Sequence, residues 1–153
     1  MSLQAITLFL HVSGVVVWVG GMFFAYVCLR PAAVEVLEPP QRLRLWRAVF
    51  GRFFAWVWAA VALILVSGLV RLVEVGFAAA PLNWHLMLAV GLAMMAIFAH
   101  VYFAPYRALK RAIAAADWPA GAAALNRIRR LVGLNLVLAG VTIAIATLGR
   151  WLA

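Results

Sequence analysis

The chain has 153 residues, 69% of them hydrophobic and 11% charged, with a mean hydropathy of +1.09. A soluble domain carries charge on about a quarter of its residues, so this composition excludes a water-soluble globule and makes lipid the main solvent. The net charge of +9 does not signal a nucleic-acid partner, because the cations fall in short blocks between apolar stretches, as membrane topology demands.

The single cysteine, Cys28, excludes an internal disulfide, a paired-cysteine metal clip and the C-x-x-C-H attachment of a c-type haem. The length suits one compact bundle. The expected fold is therefore all-α, a single four-helix transmembrane domain over residues 1–153 with spans at about 3–29, 48–73, 82–104 and 131–153.

The first span runs from Leu3 to Leu29 and ends at Arg30-Pro31. It lacks a basic leader and a small-residue cleavage site, so it reads as a retained helix. His11, Gly14, Trp18, Gly21, Met22 and Ala25 fall along one of its faces. Small residues there clear room for a close neighbour, either another helix or a flat ligand. Residues 31–47 read as a loop with Pro31, Pro39 and Pro40. Leu43, Trp46, Phe50 and Phe53 share a face, which suggests an amphipathic stretch lying on the membrane surface before the second span.

The second span, Ala48 to about Val73, is aromatic at its start and carries Ser67-Gly68 late. Arg71 and Glu74 sit near its end at a spacing that allows pairing. Pro81 opens the third span, where a missing N–H does no harm, and Pro105 ends or kinks it. Asp117 before Trp118-Pro119 marks a helix start. The last span follows Arg127, Arg129 and Arg130, and Asn135, Ala139, Thr142, Ala146 and Gly149 form a small, polar stripe suited to helix contact. Eleven of the thirteen basic residues lie between Arg30 and Arg52 or between Arg107 and Arg130. The positive-inside bias then puts both termini on the periplasmic side of a bacterial inner membrane.

All three histidines, His11, His85 and His100, lie within or at the ends of spans, where an ionisable residue is a functional candidate by default. At a 1.5 Å rise per residue, His11 is about 12 Å into the first helix, His85 roughly 4 Å and His100 roughly 27 Å into the third. His11 and His85 share the outer half, so facing helices would bring two imidazoles to one plane. That is the ligation a b-type haem needs. On this reading His11 and His85 are the axial ligands and His100 is in reserve, as a ligand or a proton-handling group. Gly14 and Trp18 line the cofactor, and Arg71 and Arg150 meet its propionates. The plainer alternative for each ring is a hydrogen bond to a neighbouring helix.

Copper is the other metal to weigh. Met22, Met87, Met94, Met95 and Cys28 are soft donors suited to Cu(I), although methionine at this spacing also fills core gaps. No carboxylate lies at mid-membrane, so a carboxylate proton relay has no parts. No nucleophile motif or phosphate-binding glycine loop is present.

Leu10-His11 through Trp18-Val19-Gly20-Gly21-Met22-Phe23, closing with Leu29-Arg30-Pro31-Ala32, resembles the first helix of CopD-like membrane proteins, named for copper resistance. Arg127-Ile128-Arg129-Arg130-Leu131-Val132-Gly133-Leu134-Asn135-Leu136, with the final Gly149-Arg150, resembles that family's last helix. His11, Trp84-His85, and His100 followed by Tyr102 and Arg107 are also similar to the HemJ-type four-helix protoporphyrinogen oxidases. That resemblance implies a b-type haem. The chain departs from the HemJ pattern at Met87, where a lysine is expected, and after Asn135, which lacks the following acidic residue and proline.

Together these readings give a membrane protein binding haem b for electron transfer or a membrane redox reaction, with CopD-like copper transport or resistance and HemJ-like oxidation as the alternatives. If the chain is an enzyme, it is a haem-dependent oxidoreductase. The expected partners are membrane lipid and a quinone or porphyrinogen, with self-assembly left open.

Overall fold

A computed structural model describes residues 2–149, and every described element is helical. α1 spans Leu3–Val36, α2 Pro39–Val75, α3 Leu82–Phe103, α4 Pro105–Ala114 and α5 Trp118–Leu148. The four long helical segments, with α3 and α4 counted as one, are apolar and long enough to cross a bilayer. This is a multi-pass membrane protein.

α1, α2 and α5 outrun the apolar stretches that announce them, while α3 keeps to its own. α1 does not stop at Arg30-Pro31 but continues to Val36, with π-helical turns at Val16–Gly20 and Phe24–Leu29. The second wide turn ends just before Pro31, so the ring enters where the ladder is already interrupted and its missing N–H costs little. The stretch around Leu43, Trp46 and Phe50 is likewise not a surface segment. It is the first three turns of α2, and those side chains are buried in the core. α5 starts at Trp118, thirteen residues before the apolar run at Leu131. Asp117 caps it by accepting a hydrogen bond from the Ala120 N–H at 3.0 Å.

Two punctuation marks behave as their chemistry requires. Gly76 ends α2 with φ 87°, a left-handed conformation that a side chain resists. Pro105 breaks the third span at Ala104, whose φ −112° and ψ −82° turn the chain before α4 resumes. α4 then lays Tyr106, Leu109 and Ile113 inward and Arg107, Lys110 and Arg111 outward.

The helices pack as two antiparallel pairs, α1 on α2 and α3–α4 on α5. Aromatic rings join the pairs. Phe98 of α3 meets Trp18 at 6.1 Å, Phe54 at 5.5 Å and Trp58 at 4.9 Å, all edge to face, and Tyr106 stands perpendicular to Phe54 at 5.0 Å. With lipid outside, dispersion and shape rather than water exclusion hold this centre together. The described chain ends at residues 2 and 149 lie at one end of the bundle. The opposite end collects the eleven cations of the α1–α2 and α3–α5 connections.

Candidate functional site

The expected face of α1 is the buried one. Gly14, Trp18, Met22 and Ala25 are all inside, with His11 and Gly21 half-buried. What covers them is α2. A Cβ built on Gly14 would stand 2.8 Å from Ile64 Cγ1 and 3.0 Å from the Ala60 carbonyl oxygen, and one on Gly21 would strike the Phe53 ring. The small residues therefore serve helix contact, and the space a flat ligand would need beside them is filled by α2.

His11 sits at the end of this seam nearer the chain termini. Its Nδ1 lies 3.0 Å from Ser67 Oγ, and the ring sits beside Gly68, where a Cβ would be in ordinary contact at 3.6 Å. Ser67 Oγ is 2.6 Å from the Leu63 carbonyl, to which it donates its single proton. It is thus an acceptor towards His11, which places the imidazole proton on Nδ1 and the lone pair on Nε2. The buried hydroxyl fixes the tautomer and leaves Nε2 as the donor atom of this ring.

His85 is held differently. Its Nδ1 faces the Pro81 carbonyl at 3.2 Å and its Nε2 the Phe77 carbonyl at 3.1 Å, with the Phe77 ring edge-on at 4.9 Å. Both ring nitrogens are turned to the α2–α3 loop. His100 is exposed on the exterior of α3. The structure thus brings His11 to α2 and His85 to the α2–α3 loop. Arg71 pairs with Glu74, as their spacing suggested, and lies over Trp84 at 5.9 Å. Arg150 falls outside the described residues.

A b-type haem finds no support in this arrangement. The face carrying Gly14 and Trp18 is closed by Ile64, Phe53 and Phe98, and one of the two expected axial rings has both nitrogens on backbone oxygen. Spacing along one helix gives depth, but not which neighbour a face will meet.

A second polar point lies deeper. Asn135, 3% exposed, donates from Nδ2 to the Met94 carbonyl at 3.1 Å, while its Oδ1 is buried without a partner among the described residues. The Thr142 hydroxyl donates to the Leu138 carbonyl at 2.9 Å and lies 3.9 Å from Met94 Sδ. The α5 stripe thereby grips the backbone of one methionine and touches its sulfur. Met22 and Met94, 3% and 4% exposed, belong to the same central cluster, with Met95 packed against it. Cys28 is exposed. Among the described residues, no three His, Cys, Asp or Glu side chains gather as a metal cage. Thioethers and one oriented imidazole are the soft and borderline donors the interior offers, beside the Asn135 amide oxygen.

These features define a small helical membrane protein whose interior is apolar, sulfur-bearing and without carboxylates. A family model, copper resistance protein D, matches residues 47–148. The chain belongs to the CopD family. No characterised protein and no solved structure matches it.

Proposed function

We propose that the protein handles copper in the bacterial inner membrane, as a component of copper resistance or transport, with both termini periplasmic and the cationic end in the cytoplasm. The family match across residues 47–148 carries this reading. The donor chemistry supports it, because thioether sulfur and neutral imidazole suit Cu(I). Met22 and Met94 place sulfur in the bundle centre, and the Ser67 hydrogen bond orients His11 Nε2 as a ligand atom. The acidic residues stand at the ends, Glu35, Glu38 and Asp117 at one and Glu74 at the other. Neutral donors hold a monovalent cation without cancelling its charge, which favours passage over storage.

The test is total cellular copper, measured by mass spectrometry, in cells carrying the wild type, Met94→Leu, His11→Ala or an empty vector at matched protein levels. The wild type is expected to change copper content relative to the vector, and each variant to remove most of that change. The purified protein is expected to be colourless. Copper content equal to the vector's, or a Soret band lost in His11→Ala, would overturn the reading, the latter in favour of haem.

A further inference from the structure

At the cationic end, the C-terminal turns of α1 and the first turns of α2 and α5 enclose a groove of ≈ 220 Å³. Its polar lining is Arg30, Arg42, Arg129 and Asn126, and no acidic side chain lines it. Its walls are apolar and aromatic, with Tyr26, Trp46 and Trp118 among them. We propose that this groove binds the headgroup of an anionic phospholipid, its phosphodiester held by the three arginines and its first methylenes lying on the aromatic wall.

The geometry favours such an occupant on three counts. The arginines are half-buried and come from three different helices, so they are held near one another at a cost in repulsion unless an anion lies between them. The ion pair found among the described residues, Arg71 with Glu74, is at the other end of the bundle, so protein carboxylates do not supply that anion. Guanidinium groups match phosphate oxygens two at a time, and Arg30 is steadied over the Tyr26 ring at 5.6 Å.

Tyr26 reaches α5 because Gly133 is bare. A Cβ there would be 3.2 Å from the ring's Cε2 and Oη. The groove lies at the level where tryptophan and tyrosine meet lipid headgroups, and basic clefts between spans suit anionic ones. At this size it takes a headgroup and the start of the tails, and the tails continue into the bilayer. A second basic cleft, beside Arg44, Arg47, Arg52 and Lys110, has exposed cations, as expected of a solvated surface.

The proposal is independent of copper. It is tested on the purified full chain by native mass spectrometry, with phosphatidylglycerol and phosphatidylcholine supplied in equal amounts. The wild type is expected to retain phosphatidylglycerol preferentially, with Arg42→Gln lowering retention about fivefold. The triple variant Arg30→Gln, Arg42→Gln, Arg129→Gln is expected to abolish the preference. A triple of exposed cations outside both clefts, Arg107→Gln, Arg111→Gln, Arg127→Gln, is expected to keep it. Ala122→Phe fills the groove without touching charge and is expected to lose retention too, so the proposal stands or falls even if the arginine triple misfolds. Equal loss in both triples, full retention in Ala122→Phe, or displacement of the lipid by millimolar inorganic phosphate would overturn it.

Discussion

Replacing Gly14 by alanine tests whether the small face of α1 is a seam with α2. The new Cβ would sit 2.8 Å from Ile64 Cγ1 and 3.0 Å from the Ala60 carbonyl oxygen. Carbon atoms in contact prefer about 3.5–4.0 Å, so α1 must retreat by roughly 0.7–1.2 Å or Ile64 must leave its rotamer. Overpacking of this kind costs about 1–3 kcal/mol. Alanine also gains roughly 0.5–1 kcal/mol over glycine as a helix residue, which must be subtracted. Gly20, on the same helix with nothing within 4 Å of its built Cβ, supplies that correction.

Gly20→Ala should stabilise, and the gap between the two variants should be about 1–3 kcal/mol because propensity cancels. Reversible unfolding in mixed dodecyl maltoside and dodecyl sulfate micelles gives both values. Ile64→Ala in the Gly14→Ala background removes the side-chain clash and leaves the backbone one, so it should recover part of the loss. Equal stabilities for Gly14→Ala and Gly20→Ala, within about 0.5 kcal/mol, would refute the α1–α2 seam and reopen that face to a ligand.

Two further outcomes follow from single hydrogen bonds. Asp117→Ala removes the cap of α5 and is expected to cost about 1 kcal/mol, with faster amide exchange confined to the turn after Trp118. Unchanged exchange there would refute the cap. Ser67→Ala releases His11 Nδ1 and is expected to cost about 0.6–2 kcal/mol, while the ¹⁵N spectrum of the His11 ring loses its single-tautomer signature. A spectrum identical to the wild type would show that something other than Ser67 orients the ring.

Much of the architecture is legible in the residues themselves. Apolar windows locate the four spans, the 3.6-residue spacing of His11 to Ala25 identifies the buried face of α1, and Asp117, Pro105 and Arg71 with Glu74 take the local roles their chemistry suggests. The helix ends are less legible, because apolarity marks where lipid is and not where the backbone ladder stops. Alanine, leucine and arginine around Leu43 and Ala124 are good helix formers, and Pro39, Pro40 and Pro119 stand in a first turn, where they open a helix rather than end one.

The partner of each histidine was not legible either. His11 and His85 share a depth range, but the packing of α1 on α2 gives Ser67 to the first, and the fold of the α2–α3 loop gives the Phe77 carbonyl to the second. The pairing of Asn135 with Met94 needed both helices in place. Its sole trace in the sequence was an amide in a stripe of small residues.

α2 has one consequence for the rest of the molecule. Its 37 residues make a rod of about 55 Å, and the oil it crosses is only about 30 Å thick. The surplus runs on past the oil as one rigid piece, its first turns packed on α1, α4 and α5 through Leu43, Trp46 and Phe50. Any change in its lean within the membrane is therefore carried to the cationic end, and to the groove beside Arg42, with no loop in between to absorb it.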